Sequence, residues 1–401
     1  MALARPLLNY GRLFGLIYRC NHSVLLVRLL LQLYATVVLC VYLFAIVRGC
    51  LKLIIGSDVH EKPLFSVAGL LQITELAYYL QGLLSQLFTL RAQRSLENLE
   101  ATLSNVDSRR GSTAADRLNG RAVCYSCCVV CVCLSMANVG VFLANILESV
   151  DIPFGIGRII VQWHVWAEMA LLFYAQNGMT FAASLFAALV CHALDSARTL
   201  RSEMETAPEP SSLDAPSSPE EDLGVDCAHR RYHLLVGYVR RLDSIYRVYI
   251  LVSYGLYLSL TLCYVYSLAR EGQAAGLTAV VLFWWAMITG HLCLITVPCI
   301  LLVDENGSLQ QALFIRHHRR PILQAPRSIG SVTDDGATAT IEHHMFLSEM
   351  ETYRLTLTAG GFFTIDRGSL MTLLSVIASY VVVICQFGGT GSSGSQSQLC
   401  T

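Results

Sequence analysis

Leu370–Phe387 reads LMTLLSVIASYVVVICQF, an uncharged run in which polar groups keep to one line. As a helix rising 1.5 Å per residue, a run of this size is about 27 Å long, close to the ~30 Å hydrocarbon core of a bilayer. Thr372, Ser375, Ser379, Val382 and Gln386 follow one another at steps of three and four, and Gly368 extends the row backwards. That spacing puts them on one helix face, the seam of a close-packed bundle. The other faces hold Leu370, Leu373, Leu374, Ile377, Val381 and Ile384. In lipid a small polar stripe has two common uses: it hydrogen-bonds to neighbouring helices, or it lines water. Gln386 beside Phe387 at the outer end suits a pore mouth, and an apolar ring beneath it can gate by dewetting. Spacing alone leaves both uses open.

Composition widens the membrane reading to the whole chain. Hydrophobic residues make up 54% and charged residues 14% of 401 residues, against about 25% charged in ordinary soluble domains. Six further stretches are apolar for long enough to span, at 27–47, 64–90, 122–147, 160–194, 248–269 and 277–303, with 368–387 the seventh. The fourth exceeds the bilayer, so it is tilted or continues as a helix into the cytosol. Lys and Arg set the direction. The segment before the first span, the second and fourth loops and the sixth loop hold 23 of the 28 Lys and Arg residues. This bias predicts a cytosolic N-terminus and an extracellular C-terminus. It opposes a receptor coupled to G proteins, whose seven spans start from outside. The fold expected is an all-α membrane protein with seven transmembrane helices. A net charge of -1 gives no general attraction to nucleic acid, and the first residues lack the compact apolar core of a cleavable signal peptide.

Between the spans the sequence divides into a cytosolic segment at 1–26, a six-helix bundle at 27–303, a semi-polar cytosolic region at 304–366, the last helix at 367–387 and a Gly/Ser-rich extracellular tail at 388–401. Residues 205–228, rich in Pro, Ser and acids, read as a disordered cytosolic insert. Residues 341–358, IEHHMFLSEMETYRLTLT, are compatible with an amphipathic helix, stopped or broken by Gly360 and Gly361. The cysteines of CYSCCVVCVC, Cys124 to Cys133, are small apolar filler rather than a zinc site, since no His or carboxylate follows at zinc-finger spacing. The pairs His317-His318 and His343-His344 point in divergent directions on a helix and read as solvated surface. No metal or cofactor is expected.

Two C-terminal pieces carry a resemblance. Gly361-Phe362-Phe363-Thr364-Ile365-Asp366, followed by Ser379-Tyr380-Val381-Val382-Val383-Ile384-Cys385-Gln386-Phe387, resembles the closing signature of insect gustatory receptors. That signature is Gly-Phe-Phe-x-hydrophobic, then Thr-Tyr, five mostly apolar residues and Gln-Phe. Ser379 replaces the Thr and keeps its hydroxyl; Cys385 is unusual in the apolar run. The close match covers about the last thirty residues of the family pattern, and the seven spans match more generally. The resemblance implies a ligand-gated, non-selective cation channel of four subunits, detecting a small-molecule tastant at the surface of sensory neurons. It implies that Thr372, Ser375 and Ser379 line the pore, Val382 narrows it, and Gln386 with Phe387 form the outer gate. Which of Val382 and Val383 faces the axis is open. Residues 304–366 would be the anchor that holds the tetramer, homomeric or mixed with relatives.

The resemblance also implies a ligand pocket among the outer halves of the first six helices. At that depth lie Gln72, Glu75, Tyr78 and the neighbouring Tyr79, Asn145, Trp163, Trp166, Glu168, Tyr264, Trp284 and Trp285. Aromatic walls with a few polar groups suit small organic ligands, although Trp and Tyr are also ordinary interfacial anchors. Glu75 and Glu168 stand out, because a carboxylate within a span faces a cavity or a partner. His291 reads as a satisfied packing residue. A multispan enzyme or transporter fits less well: no internal repeat is visible. The tastant itself, whether sugar, bitter compound or carbon dioxide, is not written in the sequence.

Overall fold

The computed structural model describes residues 25–59, 67–108, 129, 133, 136, 163–206, 219–269, 275–323 and 335–388. Its helices are α1 (Leu25–Val59), α2 (Val67–Ser108), α3 (Trp163–Thr206), α4 (Pro219–Ala269), α5 (Ala275–Leu323), α6 (Asp335–Thr352) and α7 (Arg367–Gly388). A two-strand hairpin, β1 (Thr358–Ala359) with β2 (Phe363–Thr364), stands between α6 and α7. Among the described residues five helices are long and apolar enough to cross a membrane, through the windows Gln32–Leu51, Ala170–Glu205, Ala228–Leu268, Val281–Ile315 and Arg367–Ile384. Helix α2 covers the expected span at 64–90 from Val67 onwards but is more polar, with Gln72, Glu75, Gln81 and Gln86 along it. The expected third span lies outside the described residues, apart from the helical positions Val129, Cys133 and Met136.

Helices α4 and α5 contain 51 and 49 residues. At 1.5 Å per residue each is about 75 Å long, more than twice the bilayer core. The C-terminal part of α3, the N-terminal part of α4 and the C-terminal part of α5 therefore project together beyond the bilayer. The expected boundary at 303 falls inside α5, which runs through it unbroken. Arg201 of α3 reaches Glu305 of α5 at 3.0 Å. The Tyr232 hydroxyl of α4 lies 2.8 Å from the Tyr353 carbonyl and 3.2 Å from Asn306 Oδ1. Gln310 of α5 donates to the Met350 carbonyl at 2.9 Å, and the Arg240 guanidinium covers the Tyr353 ring.

Within the bundle α3 is the most enclosed helix. Ala175, Phe181, Ala183, Phe186, Val190, Ala193 and Ala197 are fully buried along it. Its alanines let neighbours approach closely, the usual device where lipid removes any hydrophobic drive for helices to associate. At one crossing, a Cβ built on Gly82 of α2 would lie 2.9 Å from the Ala175 Cα, so only glycine fits.

Two local expectations change. The stretch 205–228 is helical at both ends: α3 runs to Thr206 and α4 begins at Pro219. Pro219-Glu220-Glu221-Asp222 is a helix-start sequence, since proline fits the first helical position and acids favour the positive end of the helix dipole. Secondly, the helix expected over 341–358 ends at Thr352 and the chain continues extended. Leu355, Leu357 and Ala359 are buried while the residues between them are not, an alternation of period two. Gly360 and Gly361, with φ of 65° and 80°, turn the hairpin rather than stop a helix.

Candidate functional site

Helix α7 has two unlike sides. Leu373, Ile377 and Val381 turn inwards, with Ile377 buried in the core, and α7 packs along α4. Thr372, Ser375, Ser379, Val382 and Gln386 are exposed on the surface that faces away from the rest of the chain. The apolar ridge and the polar stripe thus separate as their spacing requires. The Thr372, Ser375 and Ser379 hydroxyls donate to the carbonyls four residues earlier, at 2.8–2.9 Å. Each keeps its oxygen lone pairs free to accept from outside the helix. Val382 and Val383 are both exposed, 54% and 45%, so this chain taken singly does not choose between them. The Phe387 side chain lies outside the described set.

The start of α7 is held to the long helices by residues in and beside the Gly-Phe-Phe stretch. Asp366 caps the helix: the Ser369 amide donates to its Oδ1 at 2.7 Å, and the Asp366 amide donates back to the Ser369 hydroxyl at 3.0 Å. This reciprocal pair satisfies donors that a helix end leaves orphaned. Arg367 donates to Asp304 of α5 at 2.7 Å. In the hairpin, Thr358 gives both its amide and its hydroxyl to Asp243 of α4, at 2.6 and 2.9 Å. The Gly360 amide donates to the Arg247 carbonyl at 2.8 Å, and Phe363 meets the Tyr254 ring at 5.8 Å. Phe362 projects outwards at 80% exposure. The Gly-Phe-Phe segment is therefore the joint between α4 and the last helix. Sequence reading missed Asp243 and Arg247, whose role depends on contacts more than a hundred residues away.

The expected pocket residues separate into groups. Tyr78 of α2 is buried edge-on against Trp284 of α5, with ring centroids 4.5 Å apart. Its hydroxyl neighbours that of Tyr264 of α4, near Thr74. Among the described residues neither buried phenol has a partner at hydrogen-bonding geometry. A second group lies between α1, α2 and α3, where Gln72 and Glu75 line a cleft with Arg48 and Leu171. The Tyr79 hydroxyl donates to Glu75 at 2.7 Å. The cleft has a free volume of about 30 Å³. That is room for a water or two, so a larger ligand requires the helices to part. Trp285 points outwards, 37% exposed, away from its neighbour Trp284. Trp163, Trp166 and Glu168 stand in the first turns of α3 with side chains outside the described set, and Asn145 lies outside it altogether. His291 is buried with both ring nitrogens engaged, at 2.8 Å from the Thr180 hydroxyl and from the Met287 carbonyl.

A bundle of long apolar helices with a capped, two-sided final helix and clefts between them has the architecture of a multi-pass helical membrane protein. The chain belongs to the 7tm chemosensory receptor family, whose profile matches residues 4–389. This makes it a non-enzymatic chemoreceptor of the membrane. Gustatory receptor family protein 3 of Caenorhabditis elegans is 28% identical over 138 residues, 34% of this chain and 28% of that protein. The match thus spans just over a quarter of the relative's length. The fold is that of the insect olfactory receptor OR5 from Machilis hrabei, with TM-score 0.70 and 13% identity over 96% of this chain and 97% of that one. The same receptor in complex with eugenol gives TM-score 0.71 and 14% identity over 96% and 99% of the two chains.

Proposed function

We propose that the chain is one subunit of a ligand-gated, non-selective cation channel, opened by a small-molecule tastant at the plasma membrane of sensory neurons. Four copies surround one pore, as a homotetramer or mixed with related subunits. Each has its N-terminus in the cytosol and contributes α7 to the pore. Thr372, Ser375 and Ser379 line the wet inner part, Val382 narrows it, and Gln386 with Phe387 gate its outer end. One observation carries the reading: α7 docks on its own subunit through the apolar ridge and leaves the stripe of Thr372, Ser375, Ser379 and Gln386 uncovered. A polar stripe on a spanning helix is costly against lipid and is stable against water or identical stripes.

The ligand enters between the outer halves of the helices. Tyr78, Tyr264 and Trp284 supply aromatic walls and two phenol hydroxyls, and Gln72 and Glu75 a polar edge. The eugenol bound by the Machilis receptor supports a small organic ligand for this fold. Wedging α2 from α4 and α5 would shift α4, which carries the hairpin that starts α7. The experiment is expression in electrically silent cells with whole-cell recording during a screen of sugars and bitter compounds. The expected result is an agonist-evoked current that reverses near zero when sodium is exchanged for potassium. An agonist response that requires G proteins and leaves no such current would refute the channel.

A further inference from the structure

Outside both of these regions, three metal-ligating side chains meet. His229 and His233 sit four residues apart on α4, so both rings leave the same helix face. Glu349 reaches them from α6. His229 Nε2 lies 2.6 Å and His233 Nε2 2.9 Å from the same Glu349 oxygen, and the two ring nitrogens are 3.0 Å apart. Phe346 packs edge-on against the His229 ring with centroids 4.7 Å apart and fixes its orientation. Hydrogen atoms satisfy this triangle poorly. With both neutral rings donating to Glu349, the third edge sets two N–H groups against each other. A cation at the centre satisfies all three, because each donor turns a lone pair inwards.

We infer that His229, His233 and Glu349 bind a divalent transition-metal ion, with zinc the best chemical fit, and that the ion clips α6 to α4. Zinc takes imidazole nitrogen and carboxylate oxygen at about 2.0–2.2 Å in a tetrahedron, which spaces donors by roughly 3.3–3.5 Å. From edges of 2.6, 2.9 and 3.0 Å the triangle needs to open by less than about 1 Å, most of it between His229 and Glu349. The three side chains are 34%, 45% and 32% exposed, which admits the ion from solvent and leaves its fourth position to water. The two nitrogens and one oxygen also disfavour calcium and magnesium, which take oxygen alone. The site stands on this cluster and is independent of the channel reading.

The test uses the purified full chain in detergent, with zinc, cobalt or calcium chloride as the probe. The fifteen cysteines supply background binding, so the quantity read is the difference between wild type and the Glu349→Gln and His233→Gln variants. Wild type is expected to retain one more equivalent of zinc after desalting, and no more calcium. Its cobalt complex should show tetrahedral d–d bands that each variant loses while any thiolate-to-cobalt charge transfer persists. In the unmutated chain, zinc should shield His229 and His233 from diethyl pyrocarbonate, read by peptide mass spectrometry, so the answer does not depend on the variants folding. Equal zinc content in wild type and variants, or unchanged modification of the two histidines, overturns the site.

Discussion

Asp243 is a single carboxylate on α4 that accepts both the amide and the hydroxyl of Thr358. Hydrogen bonds to a charged group each contribute about 1.5–3 kcal/mol. Asp243→Ala removes both and is therefore expected to lower stability by at least about 1.5–3 kcal/mol and to free the hairpin, seen as faster amide exchange at 357–365. Gly360 and Gly361 offer a sharper contrast. Both have positive φ, which an L side chain adopts at a cost on the order of 1 kcal/mol. A Cβ on Gly360 would also lie 2.7 Å from Leu251, whereas one on Gly361 meets nothing within 4 Å. Gly360→Ala should thus lower the melting temperature of the detergent-solubilised protein clearly more than Gly361→Ala; equal losses would mean that the Leu251 contact does not constrain the turn. At this scale the sequence was legible in part. The Gly-Phe-Phe-Thr-Ile-Asp residues drew notice through their resemblance to a known signature, but their partners on α4 left no local trace. The His229–His233 spacing was visible in principle. Glu349 becomes its third member only through the fold.

Among the elements, α7 was the most legible, because a period of three and four separates an apolar ridge from a polar stripe without tertiary information. The chain after Thr352 was harder. Its alternation of Leu355, Leu357 and Ala359 is a strand signal, short and appended to a helical pattern, and the helical period absorbed it. The stretch 205–228 was read by composition, whereas the acid run after Pro219 starts a helix that gains its stability from the long apolar segment downstream. Helices α2, α4 and α5 supply the element-scale test of the ligand site. Trp284→Ala removes the edge-on partner of Tyr78, an aromatic contact of about 0.5–1.5 kcal/mol beyond its buried area. If the ligand sits there, a loss of that size should move agonist potency by roughly two- to tenfold, since 1.4 kcal/mol is a factor of ten. Trp285→Ala, on the outward face, should move it little. Equal effects of the two on the dose–response curve would place the ligand elsewhere.

For the whole molecule, the family match and the likeness to the Machilis receptor agree with the all-helical, multi-pass fold that apolar run lengths foretold. What run lengths could not convey is how far the helices continue past the bilayer, since polar rods stabilised by distant partners look like loops in a hydropathy scan. Direction rests on charge. The count of Lys and Arg predicts that an epitope placed after Thr401 is labelled on intact cells and one before Met1 only after permeabilisation, and the reverse pattern would invert the topology.

The most direct test of the shared pore is cysteine substitution along α7, with agonist-evoked current read against wild type before and after a small, charged thiol reagent. Ser375→Cys and Ser379→Cys are expected to lose current on modification, because their side chains would face the water path. Leu373→Cys and Ile377→Cys, on the ridge docked against α4, are expected to stay unmodified. Block confined to the ridge positions, or a stripe that never reacts in the open state, would contradict the account.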